Sequence, residues 1–342
     1  MTGEASSREQ SPLGRKSFLV TGGSGFIGHV LVKALLRLGA RVRSLDNDSR
    51  GSRNRFGELA RDLEIITGDI RDPDAVRRAT QGVDCVCHLA FVNGTKYFYS
   101  MPEVVLDVAL RGISNIIGAC IENNVPEMTL ASSSEVYQTP PAIPTDETAP
   151  LMVPDALNPR YSYAGGKIIS ELMAINFGRK HLQRVTIFRP HNVYGPCMGT
   201  EHVIPQLVLR MAELCRETSD PVRLPIQGTG KETRAFVYID DLVDGVLRVM
   251  EKGEHLGIYH IGTQEEITIE ELAGKIGVCF GRQVQIVPGP AAPGSTPRRC
   301  PDITKMRKLG YRPRISLEEG LERTVSWYRS ARKGPATVQE SA

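Results

Sequence analysis

A chain of 342 residues is long enough to bury a full core, as one large domain or two closely joined ones. Its 42 basic and 39 acidic side chains leave a net charge of +3, and without a polybasic run they argue against nucleic acid as the main partner. No apolar run reads as a membrane span and residues 1–16 hold no apolar signal segment. The seven cysteines form neither a Cys-x-x-Cys pair nor a Cys/His cluster, so the expectation is a metal-free protein of the cytoplasm that enters no membrane.

Residues 1–16 are polar and read as a flexible leader. From residue 17 onward short apolar runs alternate with helical patterns, as in a parallel sheet covered by helices. Phe18, Leu19, Val20 and Thr21 have strand character, Gly22, Gly23 and Gly25 make a tight turn, and an apolar helical pattern starts at Phe26 and runs through residues 30–38. Such glycines let the backbone approach a pyrophosphate, Gly28 lets helix and strand pack closely, and free N–H groups at the helix start face the negative charge. Gly22, Gly25, Phe26 and Ile27 are therefore cofactor-binding candidates.

The next apolar run, residues 41–46, ends at Asp46, roughly 20 residues past the loop, where a carboxylate can accept hydrogen bonds from both ribose hydroxyls of an adenosine. With Asn47 beside it, Asp46 selects NAD over NADP, although Arg50 and Arg53 lie near enough to leave NADP open. A strand at residues 63–67 leads to Gly68-Asp69-Ile70, which makes Asp69 and Ile70 candidates for the adenine pocket. Another strand, 83–89, closes at Ala90, and Leu89 and Ala90 join the cofactor candidates. Residues 99–123 have helical periodicity and are apolar over more than one face, so the helix is deeply buried or shared with a partner.

A strand at 127–132, a Pro-rich loop at 139–160, a helix at 161–180 and a strand at 184–188 complete the regular alternation. Beyond Pro190, loops carrying Pro and Gly separate shorter elements: helix 203–217, strand 235–239 and helix 240–252. The division is a dinucleotide-binding domain at 17–190 with elements returning from about 235–262, a smaller cap mainly at 191–330, and a polar tail at 331–342.

Tyr163 and Lys167 stand four apart at the start of a helical pattern, on one face. Free tyrosine, with a pKa of about 10, is a poor base at neutral pH, but an ammonium one turn away favours the phenolate, so the pair could take a proton from a sugar hydroxyl. Upstream, Ala131-Ser-Ser-Ser-Glu-Val-Tyr137 places hydroxyls at the C-terminal edge of a strand, facing the crevice.

These stretches, with His88-Leu-Ala90, Arg189-Pro-His-Asn-Val-Tyr-Gly-Pro196, Arg234-Ala-Phe-Val-Tyr-Ile-Asp-Asp241 and Pro301-Asp-Ile303, closely resemble the extended short-chain dehydrogenase/reductases that modify nucleotide sugars, of the UDP-glucose 4-epimerase type. The resemblance covers roughly residues 17–330. It implies a Rossmann-type α/β fold, a doubly wound parallel sheet holding NAD, with a smaller α/β cap gripping a nucleotide-diphosphate sugar. It also implies a homodimer, for which helices 99–123 and 161–180 are the candidates. By the same resemblance Ser133 positions the sugar C4 oxygen, Tyr163 is the base, and Lys167 tunes it and holds the nicotinamide ribose. Asn192, Val203 and Arg234 fall at substrate positions, as does Arg299, which reads equally as a surface arginine beside Arg298.

The family's shared first step is hydride transfer from sugar C4 to NAD. A 4-epimerase returns the hydride to the other face, a 4,6-dehydratase also expels the C6 hydroxyl, and a decarboxylase needs a uronic acid. Ser134 stands where enzymes resembling dTDP-glucose dehydratase carry Asp. Glu135 remains, and the Ser-Ser-Glu order also resembles GDP-mannose dehydratases and UDP-glucuronate decarboxylases, where that glutamate works. The leading expectation is 4-epimerisation, which needs only Ser133, Tyr163 and Lys167; a dehydratase or decarboxylase using Glu135 is the alternative, and a non-catalytic NAD-binding protein a lesser one. The chain departs from the family pattern at Ala109, which replaces a structural asparagine, at His191, where an aromatic is common, and at the cap loop with Glu201 and His202, which either read an unusual sugar or are solvated.

Overall fold

The computed structural model describes residues 11–217, 220–291, 294 and 296–331. Its first half is a regular alternation: β1 (Ser17–Thr21), α1 (Phe26–Arg37), β2 (Arg41–Asp46), β3 (Leu63–Thr67), α2 (Pro73–Thr80), β4 (Cys85–His88), α3 (Thr95–Ser100), α4 (Pro102–Glu122), β5 (Glu127–Ala131), α5 (Ser162–His181) and β6 (Arg184–Pro190). The second half runs β7 (Val193–Tyr194), α6 (Val203–Glu217), β8 (Val222–Pro225), β9 (Thr233–Ala235), β10 (Val237–Tyr238), α7 (Ile239–Lys252), β11 (Gly257–Ile261), β12 (Glu266–Thr268), α8 (Ile269–Cys279), β13 (Val284–Val287), β14 (Arg298–Arg299), α9 (Thr304–Lys308) and α10 (Leu317–Ala331).

Seven strands form one parallel sheet in the order β3-β2-β1-β4-β5-β6-β11. Chain direction along the sheet reverses between β1 and β4, which opens a crevice beyond their C-terminal ends. Strand residues alternate between faces, so β1 feeds two cores: Phe18 and Val20 pack with α1 and α7, while Leu19 packs with α2, α4 and α5. β11 extends the sheet from far downstream, and β9, β12 and β14 make a small separate sheet beside it.

Three sequence expectations need correction. The described part of the leader is not free: Pro12–Arg15 forms a 3₁₀ turn capped by Ser11, and Leu13 is buried in the core. The single helix expected at 99–123 is two, α3 and α4, because Pro102 takes the first helical position and supplies no N–H to continue the preceding turn. Finally, α4 is long and apolar enough, by length and composition, to cross a membrane. Here it is a core helix, half buried, packed against α2 and α5. Residues 1–10 and 332–342, most of the expected leader and nearly all of the tail, lie outside the described residues.

Candidate active site

A cleft of about 380 Å³ opens at the switch point and runs under the cap loop. One end is built from the β1–α1 turn. Gly22 has φ +70°, and a Cβ there would lie 2.9 Å from the Ala90 backbone; a Cβ on Gly28 would lie 2.0 Å from the Gly22 carbonyl oxygen. Gly25 is the N-cap of the twelve-residue α1 and offers no side-chain acceptor, which leaves the first N–H groups of the helix toward the cleft that Gly25, Phe26 and Ile27 line. Asp46 lies at the end of β2, its carboxylate accepting from Ser24 N at 3.0 Å and Asp48 N at 2.8 Å. Asn47 donates to Asp69 at 3.1 Å, and Asp46, Asn47, Asp69 and Ile70 line this end together. Arg53 is held by Asp48 at 2.6 Å, so it is already occupied. The glycine cradle, the uncapped helix start and the acid on β2 fit NAD.

The wall beyond β4 is fixed by Thr21. Its Oγ1 accepts from Leu89 N and Ala90 N, both at 3.2 Å, which directs its own proton to His88 Nδ1 at 2.8 Å. That role requires a neutral imidazole, and burial together with the charge of Lys167 lowers the His88 pKa to about 3. Leu89 and Ala90 thus face the cleft on a rigid support.

Helix α5 supplies the reactive groups along one stripe, Tyr163, Lys167 and Glu171, spaced four apart. Glu171 binds Arg189 of β6 in a bidentate pair, 2.8 Å to Nε and 2.6 Å to Nη2, with both side chains at most 2% exposed. This buried fork locks α5 against the sheet. Lys167 Nζ donates to the carbonyl of Ala131 at 2.7 Å and sits 3.8 Å from the centre of the Phe91 ring. Tyr163 stacks on Phe98 (4.8 Å between centroids) and meets Phe91 edge-on (5.1 Å). Ala109 lies against α5 at Gly166, where Phe91 also packs, so apolar groups surround the position at which the family carries asparagine.

Burial dominates at Tyr163, and Lys167 acts on it from a distance. Burial pushes the phenol up to about 12, and the Ser133 hydroxyl draws it only partly back. Lys167 itself is brought down to about 7 by burial, against the pull of Glu171, and its Nζ lies 5.8 Å from the centre of the tyrosine ring. Its donors face Ala131 and Phe91, and Tyr163 keeps its proton at neutral pH.

At the other end, Glu135 pairs with Arg299 at 2.5 Å and lies 3.9 Å from Arg160. Burial would raise this carboxyl, but the charge and hydrogen bond of Arg299, helped by Arg160, outweigh it and hold it below the ordinary glutamate range. Arg299 is buried and lines the cleft, so it is no surface residue; Arg298 is the exposed one, paired with Glu266. Arg234 and Arg299 are register partners on β9 and β14. However, Arg234 does not line the cleft, and its guanidinium donates to the carbonyls of Thr233, Thr296 and Pro297. Burial, followed by the charge of Arg299, lowers its pKa to about 10.

Ser133, Asn192, Val203 and His202 all line the cleft. Asn192 takes a left-handed conformation (φ 42°) that lets its amide reach the Ala235 carbonyl at 3.1 Å. Burial lowers the His202 pKa to about 4, so it is neutral. Glu201 packs its stem near Gly94, and His191 is buried against His260 outside the cleft. Sequence reasoning missed Phe91, Phe98 and Glu171, and it named Arg50 only as a possible NADP contact. Of those missed, only Glu171 carried a signal, its spacing from Lys167.

A Rossmann sheet with a glycine cradle at its switch point, and a Ser/Tyr/Lys set in the same cleft, define a dinucleotide-binding enzyme of the extended short-chain dehydrogenase/reductase type. The model of the NAD-dependent epimerase/dehydratase family matches residues 18–262, and the chain belongs to that family. It is 30% identical over 324 residues to a UDP-N-acetyl-alpha-D-glucosaminuronate decarboxylase of Bacillus cytotoxicus, covering 92% of this chain and 98% of the relative. Among solved structures it resembles a dTDP-glucose 4,6-dehydratase of Streptomyces venezuelae with NAD bound (TM-score 0.81, 31% identity, 93% and 98% covered). It also resembles a UDP-glucose 4-epimerase of Thermotoga maritima with UDP-glucose (TM-score 0.81, 27% identity, 92% and 99% covered).

Proposed function

We propose that this chain is an NAD-dependent nucleotide-sugar 4-epimerase that works through a transient 4-keto sugar. The observation that carries the reading is the convergence of Ser133, Tyr163 and the glycine cradle in one cleft, beside a Glu135 already ionised against Arg299. Ser134, where dehydratases of the dTDP-glucose type carry Asp, offers no carboxylic acid to protonate a leaving C6 hydroxyl, so dehydration is disfavoured. NAD, when bound, would supply the hydride acceptor for C4, and its positive charge would favour ionisation of Tyr163. The backbone at Gly22, Gly25, Phe26 and Ile27 would hold the pyrophosphate, Asp46 and Asn47 the ribose, and Asp69 and Ile70 the adenine. Ser133 holds the C4 oxygen, Tyr163 takes its proton and later returns it, and Lys167 steadies the nicotinamide end. Asn192, Val203 and Arg299 contact the substrate, and Arg234 holds the carbonyls of Thr233, Thr296 and Pro297 beside them.

The test is product analysis over a panel of nucleotide sugars. Epimerisation gives unchanged mass with inverted C4 by NMR. Tyr163→Phe should retain NAD and substrate binding and lose turnover by roughly 10²- to 10⁴-fold; near-normal turnover would remove the mechanism.

A second reading, decarboxylation, is favoured by the Glu135–Arg299 pair and by the likeness to uronate decarboxylases. Oxidation of a hexuronate at C4 makes a β-keto acid, which loses carbon dioxide without an acid to expel a leaving group. Its product would be lighter by one carbon dioxide.

A further inference from the structure

The segment after β2 serves the glycine loop through three side chains. Asp46 accepts from Ser24 N, Asp48 accepts from Ser24 Oγ at 2.8 Å, and Arg55 donates to the Ser24 carbonyl at 3.0 Å. Arg50 turns the other way. Its guanidinium lies 4.9 Å above the Tyr97 ring and close to Gly199 of the cap loop, where a Cβ would sit 3.1 Å from Nη2. It lines the same cleft as Ser133 and Tyr163, and its charge acts on Tyr163, Glu201 and His202.

The other arginines around this cleft are occupied. Arg299 is paired with Glu135, Arg234 donates to three carbonyls, and Arg55 holds Ser24. Among the described residues Arg50 makes no hydrogen bond and no ion pair. The Tyr97 ring supports the guanidinium of Arg50, which lines the cleft. Glu201 is the nearest acidic influence on this half-buried guanidinium but forms no ion pair with it, which leaves Arg50 able to reward an incoming anion.

We propose that Arg50 is a specificity-determining residue that clamps an anionic group, carboxylate or phosphate, carried into the cap side of the cleft by the nucleotide sugar. The inference rests on the nucleotide-sugar reading and adds the class of group selected. On such a substrate the anion is either the diphosphate or, for a hexuronate, the C6 carboxylate.

The test is calorimetric titration of NAD-loaded wild type, Arg50→Gln and Arg50→Lys with UDP-glucuronate, UDP-glucose and UDP, and with their dTDP, GDP, ADP and CDP counterparts. Arg50→Gln should lose roughly 10- to 100-fold in affinity, and Arg50→Lys less, because lysine keeps the charge without the fork. Loss confined to the glucuronate locates the anion at C6, and equal loss for all three compounds locates it at the diphosphate; both support the inference. Unchanged affinity in Arg50→Gln, or a fall in NAD content alone, overturns it and leaves the nucleotide-sugar reading intact. A wild type that binds none of the panel overturns that reading, and the inference with it.

Discussion

Replacing Lys167 with methionine should stabilise the fold while abolishing turnover. The buried ammonium has its pKa lowered from 10.5 to about 7. A tenfold change in proton affinity is worth 1.36 kcal/mol, so burying this charge costs roughly 4–5 kcal/mol relative to the unfolded chain. Methionine fills similar volume without a charge, but it strands the Ala131 carbonyl that Lys167 now satisfies at 2.7 Å, a loss of about 1–3 kcal/mol. The net expectation is a gain of roughly 1–4 kcal/mol. Because the folded pKa lies below the unfolded one, the unfolded chain binds more protons between about pH 7 and 10.5. The wild-type penalty is therefore complete below pH 7 and fades as pH rises through that window, and the advantage of Lys167→Met should fade with it. Thermal or urea unfolding of both proteins at pH 6, 7.5 and 9.5, without added cofactor, measures this. A variant no more stable than wild type at pH 6, or a gap that ignores pH, would refute the reasoning.

Three further outcomes are expected. Glu171→Ala strands the buried Arg189 guanidinium and should cost about 3–5 kcal/mol. At an unfolding entropy near 0.7 kcal/mol per kelvin for this length, that lowers Tm by roughly 4–7 °C by calorimetry, and an unchanged Tm would show that the pair does not anchor α5. Glu135→Gln separates the two chemistries: 4-epimerisation should persist within about tenfold, whereas a decarboxylase using Glu135 should lose about 10²-fold or more, read as product per unit time by mass spectrometry. Leu106 and Leu110 of α4 and Ile169, Leu172 and Phe177 of α5 are exposed apolar side chains on two helices that pack together. We propose that they form a homodimer contact, so Leu110→Arg with Leu172→Arg should shift sedimentation from dimer to monomer; a monomeric wild type would end that proposal.

Period, spacing and turn chemistry made much of this molecule legible. The glycine turn after β1 was readable because only glycine fits where Gly22 and Gly28 approach other backbone, and the acid at the end of β2 was readable from its distance along the chain. The four-residue spacing of Tyr163 and Lys167 is enough to place them on one face of a helix. The split at Pro102 was hidden because apolar periodicity runs straight across it, although proline carries a recognisable stop.

What needed the folded molecule was everything that depends on meetings between distant segments. Arg299 and Glu135 are 164 positions apart, and nothing local in either stretch announces their contact. The same holds for Arg50 against Tyr97, for Phe91 beneath Lys167, and for Arg234, whose motif marked it for the cleft while neighbouring carbonyls took its donors. Proton affinities belong to this class too. The pattern around Tyr163 and Lys167 names the pair, but burial, set only in three dimensions, raises the proton affinity of the phenol and lowers that of the amine.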